Sequence, residues 1–171
     1  MKRQVMNPAE LMTAIGDSYL WLNIPDIEDS ECRQKVENVI RVERLADAKT
    51  VEKLLTFEDW RERMVGHVLA IRKGPRQFVS AMLDSLAAPR GLAIVPTCAA
   101  LVSGLADDEP NEWMPRLLAL DRSPFEGDIG WSLDKMTFHL GWSVEDPGGY
   151  SPNDGKNFDL HLALFRWVTD S

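Results

Sequence analysis

A chain of 171 residues with 19 basic and 27 acidic side chains carries a net charge of −8. That length suits one domain able to bury about two thirds of its unfolded surface without disulfide or metal staples. The sign of the charge excludes a non-specific nucleic-acid binder, whose affinity comes from neutralising phosphates, and no window reaches the ~18 to 20 apolar residues of a membrane span.

The first element opens at Asn7-Pro8-Ala9-Glu10, an N-cap, a proline at the first helical position and an acid that can reach back to the cap. Leu11, Ile15, Tyr19 and Leu22 mark one face and Asn23 to Pro25 end it, predicting one helix of about four turns. After the acidic linker DIEDSE, Cys32, Val36, Val39 and Ile40 form the apolar stripe of a helix over 30–46. A short helix over 48–55 carries Val51, Leu54 and Leu55. The next begins in FEDWRERMVGHVLAIRKG, where Thr56 reads as the cap and Asp59 as the acid three residues on. Trp60, Met64, Val68 and Ile71 form its buried stripe, Arg61, Glu62 and Arg63 its outer face, and Gly74-Pro75 its stop, while Gly66 offers room for a close helix contact.

Downstream, Phe78, Val79, Met82, Leu83 and Leu86 line a further helix that ends at Pro89. GLAIVPTCAALVSGL is apolar nearly all round, the mark of a helix buried between neighbours, with Pro96 either starting or kinking it. Asp107 to Leu120 reads as an acid-capped helix bearing Trp113, Leu117 and Leu118, and Asp128 to Gly141 as one bearing Ile129, Leu133, Met136 and Leu140. The loop WSVEDPGGYSPNDGK then leads to a last helix from Asn157 to Val168 with Phe158, Leu162 and Phe165 on one face. No two-residue alternation or hairpin signal occurs, so the fold class is all-α.

Phe78, Met82 and Leu83 recur 35 residues on as Trp113, Leu117 and Leu118; Trp60 and Met64 recur as Val95 and Ala99, and then as Trp131 and Lys135. Such a period is that of a two-helix unit, which cannot bury its stripe alone and stacks on its neighbours. The expectation is an α-solenoid of stacked antiparallel helix pairs, about eight or nine helices in one domain. Residues 1–46 form its N-terminal helices, 47–141 the repeat core and 142–171 a loop and C-terminal helix.

The helix that opens with Asp59, Trp60 and Arg61 and carries Gly66 six residues after the tryptophan resembles that of a small family of HEAT-like helical-repeat proteins of bacteria. The similarity spans residues 54–140, without the Asp/Arg ladder of regular HEAT repeats. The resemblance implies kinship with immunity proteins, which neutralise toxins delivered between competing bacteria.

Catalytic patterns are missing: none of His67, His139 and His161 lies in a motif with a nucleophile, and PGG at 147–149 lacks the Lys-Ser/Thr of a phosphate loop. Asp159 and His161, two apart, do not share a helical face, and no loop offers alternating oxygen ligands, so no metal or cofactor is expected. Cys32 and Cys98, far apart in apolar segments, read as reduced buried thiols. MKRQVMNPAELM has no apolar run of signal-peptide length. Together these point to a soluble, cytoplasmic setting.

DIEDSE and DDEPNE, four acids in six residues each, suggest a rim complementary to a basic partner. Of the six tryptophans, Trp142 stands off every stripe, as does Tyr150. Aromatics on loops beside acids are typical interface anchors. The expected contact residues are therefore Glu126, Asp128, Trp142, Glu145, Asp146 and Tyr150, and the expected function is non-catalytic occlusion of a protein partner, a cognate toxin. The alternatives are a structural scaffold or adaptor and a HEAT-like nucleic-acid-repair hydrolase, which would need a basic concave face.

Overall fold

The computed structural model describes residues 5–106, 108, 110–121, 128–147 and 152–171. Among them every regular element is helical: α1 (Pro8–Ile15), α2 (Ser30–Arg41), α3 (Ala48–Leu55), α4 (Trp60–Lys73), α5 (Val79–Ala87), α6 (Ile94–Leu105), α7 (Pro110–Leu118), α8 (Asp128–His139) and α9 (Pro152–Asp170). The described helices include none long and apolar enough to cross a membrane.

The capping box at Asn7 and Glu10 forms as expected. The expected single N-terminal helix is nevertheless cut in two: Gly16 adopts φ 57°, which ends the α-helical hydrogen-bond ladder, and the chain runs on as a 3-10 helix over Gly16–Leu22. Asp29 starts α2, accepting from the amides of Glu31 and Cys32, and this helix ends at Arg41, ahead of a 3-10 turn over Glu43–Leu45.

Thr56 does not start α4. Its hydroxyl bonds back to the Glu52 carbonyl and closes α3, and Asp59 is itself the cap, accepting from the Arg61 amide at 3.0 Å. Gly66 brings α4 against the end of α3, since a Cβ there would lie 2.9 Å from the Leu55 nitrogen. Gly74, at φ 106°, stops the helix.

Pro96 lies in the first turn of α6, where its missing N–H would have had no partner in any case. In α7, Leu117 is buried but Leu118 is 68% exposed, so the 35-residue echo of Leu83, itself buried, fails at that position. Asp108 is no rim residue either: it is buried, accepts from the Trp113 indole at 2.6 Å and pairs with Arg76. The last helix begins earlier than expected, at Pro152, in the position where proline favours a helix start.

One core of apolar side chains runs from Leu11 to Val168. Its centre is α4, buried at every residue from Arg63 to Ile71, together with α6, against which α4, α5, α8 and α9 pack. α9 also packs on α4, so the C-terminal helix reaches back to the middle of the chain. Both cysteines are buried and unpaired.

Candidate functional site

The contact residues expected from sequence lie around the C-terminal loop, and the structure gives most of them local work. Trp142 is half-buried and packs on the core, with its amide on the Thr137 carbonyl at 2.9 Å. Asp146 accepts from the ammonium of the buried Lys135 at 2.8 Å. Glu145 is exposed, its amide on the Ser143 hydroxyl. Asp128 opens α8 with its side chain outside the described residues, where Glu126 and Tyr150 also lie. In DIEDSE, Asp26 accepts from the Glu28 amide and Asp29 caps α2, so both acids hold their own turns.

The histidines are held within the fold. The Thr97 hydroxyl donates to the Ala93 carbonyl at 2.6 Å, so its oxygen accepts from His67 Nε2, 2.9 Å away. Burial, with His161 and Arg63 nearby, pulls the His67 imidazole down to about 3. His161 faces the carbonyls of Asn157 and Leu22 at 2.8 and 2.9 Å, and burial lowers it too. His139 stacks on Phe158 and stands 3.9 Å from Asp159, beyond hydrogen-bond reach. Among the described residues there is no group of three His, Cys, Asp or Glu side chains that could hold a metal ion.

A different feature has the form of a site. Between the turn that joins α3 to α4 and the segment that joins α5 to α6 lies an open cleft of about 910 Å³. Its apolar wall is Phe57, Trp60, Pro89 and Leu92, with Phe57 40% and Leu92 50% exposed. Large side chains left in water beside one another are the usual mark of a docking surface.

Two arginines fix the cleft's walls. Arg63, one turn into α4, is only 2% exposed and spans both segments: its Nε donates to the Phe57 carbonyl at 2.6 Å, and its Nη1 lies 2.9 Å from the Ser85 carbonyl, the Ser85 hydroxyl and the Ala88 carbonyl. Arg90 repeats the span one residue further out, donating to the Glu58 carbonyl at 3.0 Å, to the Pro89 carbonyl at 3.2 Å and to the Glu58 carboxylate. The two guanidinium groups thus form a two-rung ladder, with carbonyls 57 and 88 on the inner rung and 58 and 89 on the outer. Burial and then the Arg90 cation draw the Arg63 guanidinium down to about 10, so it stays charged at neutral pH.

Trp60 is braced from behind. The Arg61 guanidinium lies 5.2 Å from its ring and 5.9 Å from that of Tyr19, and pairs with Asp59 at 2.7 Å. Arg63, expected from the sequence on the outer face of its helix, is instead buried. The available signal was the apolar run after it: VGHVLAI leaves the helix no solvated side, so an arginine within it had to find buried acceptors.

Compared with family models, with curated proteins and with solved structures, the chain matches none.

Proposed function

We propose that the chain is a protein-binding module that acts without turnover, docking on its partner through the cleft between residues 57–60 and 89–92. The observation that carries this reading is the cleft itself: exposed Phe57 and Leu92 on a wall that buried Arg63 holds open in the unbound protein. A preformed apolar wall lowers the ordering cost of association.

The Asp59-Trp60-Arg61 helix start, on which the resemblance to HEAT-like immunity proteins rests, contributes Asp59 and Trp60 to this cleft. In its specific form the proposal is therefore an immunity protein in the cytoplasm, covering a toxin used in bacterial competition. A short helical-repeat stack is the matching architecture. Supporting it, α3 packs on α4, α5 on α6, and α4 on α6 in turn.

The test is co-expression with a secreted toxin encoded beside the protein's own gene. Rescue of growth and a 1:1 complex of the purified pair are expected. No rescue and no complex at micromolar concentration would remove the immunity reading.

A further inference from the structure

At the other end of α4 from the cleft, the last turns of α2 and α4 and the 3-10 turn over Glu43–Leu45 enclose a hollow of about 330 Å³. Its charged lining is Arg41, Glu43, Arg44 and Arg72, on a chain whose net charge is −8. Glu43 is already held by the Lys73 ammonium. Glu37 stands 3.6 Å from Arg41, but both side chains are at least half exposed and water screens the pair. Asp170, exposed at the end of α9, pairs with none of these groups. With Lys73, Glu37 and Glu43 all counted, four cations meet two carboxylates. The local excess runs against the sign of the whole molecule.

Two of the three lining arginines are aimed by the fold. Arg41 Nη1 donates to Asn38 Oδ1 at 3.0 Å, and Arg72 Nη1 donates to the Val168 carbonyl at 3.3 Å. Each also stands in the last turn of a helix, where a cation answers the macrodipole. Arg44 has neither role: it is exposed in the 3-10 turn and, among the described residues, has no hydrogen bond or ion pair. An unengaged guanidinium beside two oriented ones is the feature that the fold itself does not use.

We propose that this hollow binds a phosphate monoester dianion, anchored by Arg44, with Arg41 and Arg72 donating to its other oxygens. The choice of ligand follows from number and shape. One carboxylate fills one guanidinium fork, whereas a tetrahedral dianion presents oxygens to several forks at once and matches an excess of two charges. Two sources carry that chemistry, a small phosphorylated molecule and a phosphorylated side chain of a protein. The site is separate from the docking cleft and does not depend on it.

The test follows the arginine Cζ carbons by NMR at fixed ionic strength and about pH 8, where a phosphate monoester is a dianion. The titrants are inorganic phosphate, acetyl-Ala-phosphoserine-Ala-amide and acetate. Both phosphates are expected to shift Arg44 and Arg72 saturably and to bind at least about tenfold more tightly than acetate. Arg44→Gln, read at Arg72, should weaken both phosphates at least about fivefold with melting unchanged, because the replaced side chain holds no contact. Arg33→Gln, an exposed arginine of α2 outside the lining, should leave them within about twofold. Tighter binding of the peptide than of inorganic phosphate assigns the site to a phosphorylated protein, and equal or weaker binding assigns it to a small molecule. Acetate matching phosphate, shifts that rise without saturating, or equal losses in Arg44→Gln and Arg33→Gln would overturn the proposal and leave these arginines as solvated surface charges.

Discussion

Arg63 shows how a single side chain ties the local fold to the site. Its hydrogen bonds reach the end of α5, the segment after it and the turn before α4, so it replaces backbone partners that these loop carbonyls would otherwise seek in water. Arg63→Met would leave the buried Ser85 carbonyl unpaired and take the donor from the Phe57 and Ala88 carbonyls, and hydrogen bonds to a charged donor contribute about 1.5 to 3 kcal/mol. We expect a loss of about 3 kcal/mol in urea denaturation, with faster amide exchange at residues 88–92. Arg63→Lys should recover little, because an ammonium cannot reproduce the fork. His67 gives the second prediction at this scale. The unfolded imidazole takes a proton near pH 6.5, while the folded one resists until about pH 3. Stability is therefore complete above pH 6.5 and falls as pH drops, by about 1.4 kcal/mol per unit for this one group. Melting curves between pH 7 and 4 should show that slope reduced in His67→Leu.

The elements were largely legible from their stripes and caps, and the departures come from competition between neighbours. Thr56 and Asp59 are both cap residues three apart, the spacing of a capping box. Because α3 ends at Leu55, the Thr56 hydroxyl is taken by the Glu52 carbonyl, and the start of α4 falls to Asp59. Gly16 is another case: the apolar spacing of Leu11, Ile15, Tyr19 and Leu22 holds across a break that only the backbone angle reveals. Gly66 makes the close helix contact its place in the sequence suggests, and it sets the third prediction. Alanine there gains about 1 kcal/mol of helix propensity but drives a methyl into the backbone of Leu54 and Leu55, which cannot rotate away. The net effect of Gly66→Ala should be destabilisation by about 2 kcal/mol, read as a lower melting temperature, with Gly66→Ser worse.

At the scale of the whole molecule, periodicity marks the helices more clearly than the long-range contacts between them. The 35-residue echo pairs buried Leu83 with exposed Leu118, and α9 returns to pack on α4 and α6, a contact between distant segments that no local pattern encodes. The cleft is illegible for the same reason, since residues 57–60 and 89–92 are distant in sequence and are tied together by Arg63 and Arg90, whose directions depend on the packing of α4 against its surroundings. The acids and aromatics of the C-terminal loop are contiguous in sequence, yet Asp146 and Trp142 are engaged within the fold. These two surfaces give opposite forecasts for one measurement: the dissociation constant of the complex with the partner, for Leu92→Asp and for Glu145→Lys. A charge placed on the apolar wall should weaken binding by at least about thirtyfold, the loss typical of an anchor position, with melting unchanged, while Glu145→Lys stays within about twofold of the unaltered protein. The reverse pattern, with Leu92→Asp neutral and Glu145→Lys disruptive, would contradict the account and return the interface to the C-terminal loop.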